Sequence, residues 1–149
     1  MRMNKQIVVT DWIKEKPRFG SFLKLTLSSE ERGILRGKRL TDCDKEIILQ
    51  LPRDGKLNDG DILSTDMSNF YVEIIAKTEH LIEISSDSKI ELIKTAYHLG
   101  NRHGEVEIEE DILLTKSDYV IKNMVLNFKV DVKNTKKKFF PERGAHSHE

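Results

Sequence analysis

At 149 residues, with 38% hydrophobic and 34% charged residues, the chain is long enough for one ordinary domain or two small ones, and too apolar to be disordered. Its 25 basic and 25 acidic residues cancel, and both sides of Lys77 stay near neutral, with 14 basic and 12 acidic residues up to it and 11 and 13 after it. A nucleic-acid module would carry a clear basic excess, so that partner is set aside.

One cysteine, Cys43, leaves no internal disulfide, which fits a reducing compartment. The short apolar patch near the N-terminus is broken by Asp11 and is no signal-peptide core. No stretch approaches the roughly 20 apolar residues that span a bilayer. A cytoplasmic protein with no membrane partner is expected.

In chain order, residues 6–9 are an apolar, β-branched run, and Phe22-Leu23-Lys24-Leu25-Thr26-Leu27 alternates apolar and polar as a strand with one buried face does. Glu46-Ile47-Ile48-Leu49-Gln50-Leu51 is closed by Pro52, and Asp54-Gly55 and Asp59-Gly60-Asp61 are turn signals. Ile62-Leu63 and Tyr71-Val72-Glu73-Ile74-Ile75-Ala76 follow as strands. Short strands, Gly-containing turns and no convincing helix predict a small β-barrel or sandwich over residues 1–77.

Beyond Lys77 the texture changes. Leu81-Ile82-Glu83-Ile84 is a strand, and Ser88-Lys89-Ile90-Glu91 has the form of a capping box. Ile90, Ile93, Ala96 and Tyr97 follow at helical spacing up to Gly100. Val106, Ile108 and Ile112-Leu113-Leu114 predict two strands. A second helix over 118–128 places Val120, Ile121, Met124, Val125 and Phe128 on one face, and Val130 and Val132 alternate in a last strand. The β-α-β-β-α-β order predicts a ferredoxin-like domain over 78–133, making the chain α+β, with a flexible tail over 134–149.

Candidate metal ligands are few. His146 and His148 are two residues apart, roughly 6.6 Å in an extended chain, so both imidazoles can grip one ion. Imidazole suits nickel, copper and zinc, but an H-x-H pair in a solvated tail is weak evidence by itself. His98 and His103 would lie about 140° apart on a continuous helix and could not share a metal. With Gly100 ending the helix, His103 is presented just past it, His98 reads as partly buried and structural, and His80 opens a strand without a recognisable partner.

Other groups read blandly. The acidic run Glu105, Glu107, Glu109, Glu110 and Asp111 reads as a solvated strand face. Lys136-Lys137-Lys138 with Phe139-Phe140 could contact phosphate and stack bases, or face an acidic protein. Cys43, between Asp42 and Asp44, is a poor nucleophile. No nucleotide loop, serine elbow or zinc helix is present, and no enzyme is expected.

The stretch Ala96-Tyr97-His98-Leu99-Gly100-Asn101-Arg102-His103 closely resembles the G-N-R-H signature of UreE urease accessory proteins. The resemblance extends over residues 108–114, Asp118-Tyr119-Val120 and Asn123-Met124. It includes Leu51-Pro52-Arg53 and Asp59-Gly60-Asp61-Ile62-Leu63 upstream, and Phe140-Pro141-Glu142 and Gly144 near the end. It implies a β-rich, peptide-binding-like N-terminal domain and a ferredoxin-like domain that dimerises and carries Ni(II) as cargo for urease assembly.

By the same resemblance His103 is the interface ligand, doubled by a two-fold axis, with His146 or His148 completing the shell. Zn(II) and Cu(II) suit the same donors. The implied partners are a second copy and the urease apoprotein complex with its accessory GTPase. Ser117 and Tyr119 stand where some members carry further histidines, so one ion per dimer is the expectation. The competing readings are a chaperone that pairs peptides with a sheet edge and, more remotely, an RNA-binding protein.

Overall fold

The computed structural model describes residues 6–52, 54–102 and 104–142. The chain divides into two compact units, Met1–Lys77 and Thr78–Glu149.

The first unit is built of β1 (Ile7–Ile13), β2 (Ser21–Leu27), β3 (Arg36–Leu40), β4 (Glu46–Gln50), β5 (Ile62–Thr65) and β6 (Phe70–Ala76), in the order β2-β6-β5-β1-β4-β3. β1–β4 and β2–β6 pair in parallel, the rest antiparallel, and β1 bulges between Val9 and Asp11. Alternation does its work here: Ile7, Val9, Leu25, Leu27, Ile47, Leu49, Val72 and Ile74 all enter one core. A 3-10 turn at Glu31–Gly33 and the strand β3 had no signal of this kind, since Arg36-Gly37-Lys38-Arg39-Leu40 has no apolar alternation to read.

Side chains engage backbone groups on both edge strands of this sheet. Asp42 donates its N–H to Lys24 O at 2.8 Å, and its carboxylate accepts from Thr26 N at 3.2 Å and Thr26 Oγ1 at 2.8 Å, occupying the outer side of β2. On β3, the Arg39 guanidinium donates to Lys38 O at 2.6 Å and Ile34 O at 3.3 Å.

The second unit comprises β7 (Thr78–Ser85), α1 (Lys89–Asn101), β8 (Val106–Ile108), β9 (Ile112–Lys116), α2 (Tyr119–Val125) and β10 (Asp131–Lys138). Its sheet runs β10-β7-β9-β8 with every neighbour antiparallel, so each helix crosses over an intervening strand, a split-βαβ layout. The α+β class is therefore as read from the sequence, with two sheets and two helices. Ile82, Ile84, Leu99, Val106, Leu113 and Val125 form the core between helices and sheet.

Several local expectations are corrected. Half of the capping box forms: Ser88 Oγ accepts from Glu91 N at 3.4 Å, while the Glu91 carboxylate accepts from Lys129 N at 3.3 Å instead of turning back to Ser88. The side of α1 that faces the sheet carries Leu92, Thr95, Ala96 and Leu99; Ile90, Ile93 and Tyr97 are 57%, 63% and 67% exposed. Thr95 is tolerated inside because its hydroxyl donates to Glu91 O at 2.8 Å. Asp118 caps α2 by accepting from Val120 N and Ile121 N, but the helix stops at Val125 and leaves Val120 exposed.

The largest correction concerns the end of the chain. Residues 134–138, assigned to a flexible tail, continue β10, with Asn134 to Lys138 registered against Ile82 to Thr78. Phe139 is 0% exposed and packs on Leu81 and Leu114. Polar and lysine-rich residues mislead here because the alternate positions lie on an open sheet face, where Lys133 and Lys137 flank Glu83 at 3.3 and 3.9 Å.

Candidate metal centre

His103, His146 and His148, the three ligands expected from the sequence, lie outside the described residues; what is described is the frame on either side of them. On one side, α1 ends at Asn101 and Arg102 caps it, its N–H directed to His98 O and Leu99 O at 3.3 Å each. The chain returns at Gly104, whose N–H donates to Leu99 O at 3.0 Å. A side chain at Gly104 would start only 2.9 Å from the Leu99 carbonyl, so the tight return into β8 depends on glycine. The turn that carries His103 is thus held by backbone bonds to the last turn of α1.

Beside this turn lies an open cavity of about 330 Å³ lined by Leu99, Arg102, Gly104, Asp118, Val120, Ile121 and Met124. Its walls are mainly apolar, with Arg102 and Asp118 the charged members.

On the other side, the chain after β10 returns to the same strand. Phe140 N donates to the Glu107 carboxylate at 2.8 Å, and Glu142 N donates to Val106 O at 2.8 Å. The described chain therefore ends on β8, three positions from His103 in sequence and four before His146. Glu107 is half-buried on β8 rather than fully solvated. Burial pushes its carboxyl above its ordinary value; the Phe140 N–H opposes that, while Glu109, hydrogen-bonded to it, adds to the rise. Sequence reading missed both Glu107 and Phe139, since an alternating acidic run and a lysine-flanked Phe pair look exposed without the fold.

The remaining histidines do not join this frame. His98 is exposed rather than partly buried, with Phe128 at 5.1 Å and Tyr97 edge-on at 5.3 Å between ring centroids. His80 is exposed on β7 beside Lys136. Cys43 is exposed, its sulfur 3.4 Å from Thr41 Oγ1. Among the described residues no cluster of three or more His, Cys, Asp or Glu side chains could hold a metal ion. No described helix is long and apolar enough to cross a membrane.

The family described as "UreE urease accessory protein, C-terminal domain" matches residues 79–149. Two proteins named "Urease accessory protein UreE", from Prochlorococcus marinus strains AS9601 and MIT 9301, are 90% and 88% identical to this chain over the full length of both partners. A third of that name, from Parasynechococcus marenigrum strain WH8102, is 41% identical over 84% of this chain and 83% of its own. The molecule is thus an accessory protein and not an enzyme. More particularly, the chain belongs to the UreE family of urease accessory proteins.

Proposed function

We propose that this chain is a homodimeric nickel carrier for urease maturation, in which the His103 pair of two subunits holds one Ni(II) and His146 or His148 completes its shell. The observation that carries this reading is the Glu142–Val106 hydrogen bond, which starts the C-terminal histidine segment from the same short strand that follows His103. In the sequence His146 follows Glu142 by four positions and His103 precedes Val106 by three.

The dimer is supported by surface chemistry. Ile90, Ile93 and Tyr97 expose apolar area on the helix that ends at the His103 turn. A two-fold axis near that helix end would cover this stripe and pair the two imidazoles. Neutral nitrogen donors suit Ni(II) and also Zn(II) and Cu(II), so the cargo is set by supply and by the receiving complex as well as by the ligands. Donors drawn from two separate parts of the chain can leave one after another, as delivery to the urease apoprotein and its accessory GTPase in the cytoplasm requires.

Nickel titration of the purified protein tests this reading. His103→Ala should abolish the tightest site, and unchanged affinity would refute it. The competing peptide-binding reading has weaker support, because Asp42 and Arg39 occupy backbone groups on the two rims that an added strand would need. RNA binding through the lysine run loses ground as well: Lys137 faces Glu83, and the Phe139 ring is buried.

A further inference from the structure

The second unit carries a cavity of about 210 Å³ between α1 and the turn from β8 to β9, apart from the frame described above. Leu92, Ala96 and Leu113 form its apolar part. Glu109, Glu110 and Asp111 stand along the turn, against a single cation, Lys89, among the described walls. The turn is fixed, since Glu109 N donates to Ile112 O at 3.0 Å. An apolar cavity of about 150 Å³ already accepts a benzene ring, so this one has room for a single aromatic side chain. Its acidic rim favours cations beside that ring.

The first unit presents such a side chain. Phe19 is 81% exposed, in the loop Lys14-Glu15-Lys16-Pro17-Arg18-Phe19-Gly20. The loop is anchored behind it: Ser21 N donates to Asn69 O at 2.8 Å, and Lys16 Nζ lies 3.6 Å from the Glu73 carboxylate and 5.1 Å from the centre of the Phe22 ring. Phe22 and Tyr71 stack on each other at 5.3 Å, which leaves Phe19 as the ring that projects. Lys14 and Arg18 are exposed in the same loop. Tyr97 and Tyr119 are also open, but Tyr97 belongs to the stripe assigned to the two-fold pair, and Tyr119 follows Asp118, whose charge an acidic rim would repel.

From this match in size, polarity and charge we infer that the cavity takes Phe19 of a second copy of the chain, with Arg18 set against Glu110 and Asp111. An aromatic anchor beside an arginine is the usual carrier of binding energy in a protein contact. The two surfaces differ, so the contact is heterologous and adds copies to the proposed two-fold pair instead of forming it. It needs no metal, and salt weakens it because the rim is open to solvent. Ile93 lines the cavity and also belongs to the two-fold stripe, so it does not serve as a probe of this contact.

Sedimentation velocity in metal-free buffer, over a range of concentrations, compares the full chain with Phe19→Ser, Arg18→Glu, Glu110→Arg and the double variant Arg18→Glu/Glu110→Arg. The mean mass of the parent should climb with concentration. Phe19→Ser and each single charge reversal should weaken that association about tenfold or more, and the double reversal should restore most of it. A synthetic peptide of residues 14–20, titrated into the Phe19→Ser protein, should move the amide signals of Leu92, Ala96 and Leu113; the same peptide carrying Phe19→Ser should leave them in place. Association untouched by Phe19→Ser, or a double reversal no better than the single ones, would overturn the contact. A peptide that fills the cavity of a chain that never self-associates would assign the cavity to a basic aromatic segment of another protein and overturn the second copy as its occupant. Nickel titration of His103→Ala is independent of these outcomes.

Discussion

The Glu107 carboxylate accepts the Phe140 N–H at 2.8 Å while its neighbour Glu109 shares a hydrogen bond with it, so one buried-side carboxyl both holds the chain end and resists ionisation. Burial, the largest influence, raises its folded pKa above the ordinary 4.5. The native state therefore binds this proton more tightly than the unfolded chain. The stabilisation is full below pH 4.5 and is lost as pH climbs through the higher folded value. Glu107→Gln, neutral at all pH and still able to accept from Phe140, removes that dependence. Urea midpoints of the two proteins should diverge in favour of the variant as pH rises from 4 to 7; divergence in the opposite sense would contradict the assignment.

Phe139→Ala should destabilise the second unit by about 3–5 kcal/mol, the usual loss for a buried aromatic. A residue in a solvated tail would give a change within about 0.5 kcal/mol. Denaturant unfolding of the full chain separates the two.

Gly104→Ala drives a Cβ to 2.9 Å from the Leu99 carbonyl, a backbone atom with little room to retreat. The return from α1 into β8 must open, at a cost of about 1–3 kcal/mol, a range typical of overpacking. On the nickel reading proposed above, nickel affinity should fall together with thermal stability, since His103 stands between Arg102 and Gly104 in the sequence. A variant that lost stability but bound nickel as tightly as the parent would detach the turn from the metal site.

Ile93→Asp tests the proposed dimer. With 63% of Ile93 exposed, the change should leave the fold of a single chain within about 0.5 kcal/mol of the parent. In sedimentation velocity the variant should run as a monomer at concentrations where the parent is dimeric. A persistent dimer would move the contact to another face.

Gly20→Ala should cost about 1–3 kcal/mol of N-terminal unit stability. Its φ of +131° disfavours any side chain, and the new Cβ would meet the Tyr71 ring at 2.6 Å and Asn69 O at 2.8 Å. Thermal melting of the variant checks this, and an unchanged midpoint would show that the β1–β2 loop can rearrange freely.

Much of the fold was legible because alternation and helical period track burial. The strands around Leu25, Leu49 and Ile74 could be read directly, as could the cap at Ser88. The parallel pairing of β2 with β6 could not, since register between distant strands leaves no local mark. β3 escaped notice because an exposed edge strand needs no apolar residues. On α1 two apolar stripes compete; the sequence favoured Ile90, Ile93, Ala96 and Tyr97, of which only Ala96 joins Leu92 and Leu99 against the sheet. The candidate site was read from the resemblance carried by Gly100-Asn101-Arg102-His103, whose last residue lies outside the described residues, and the groups around it left no such mark. Phe139 and Glu107 become recognisable only when β10 carries the chain end across the sheet.

Asp42 and Arg39 bear on how the molecules tolerate crowding. With Lys24 and Thr26 engaged on one border of the six-stranded sheet and Lys38 on the other, an added strand would compete for those backbone groups, and Arg36, Lys38 and Arg39 place like charges along the β3 border. Edge-to-edge addition of a further strand is thereby discouraged at those positions.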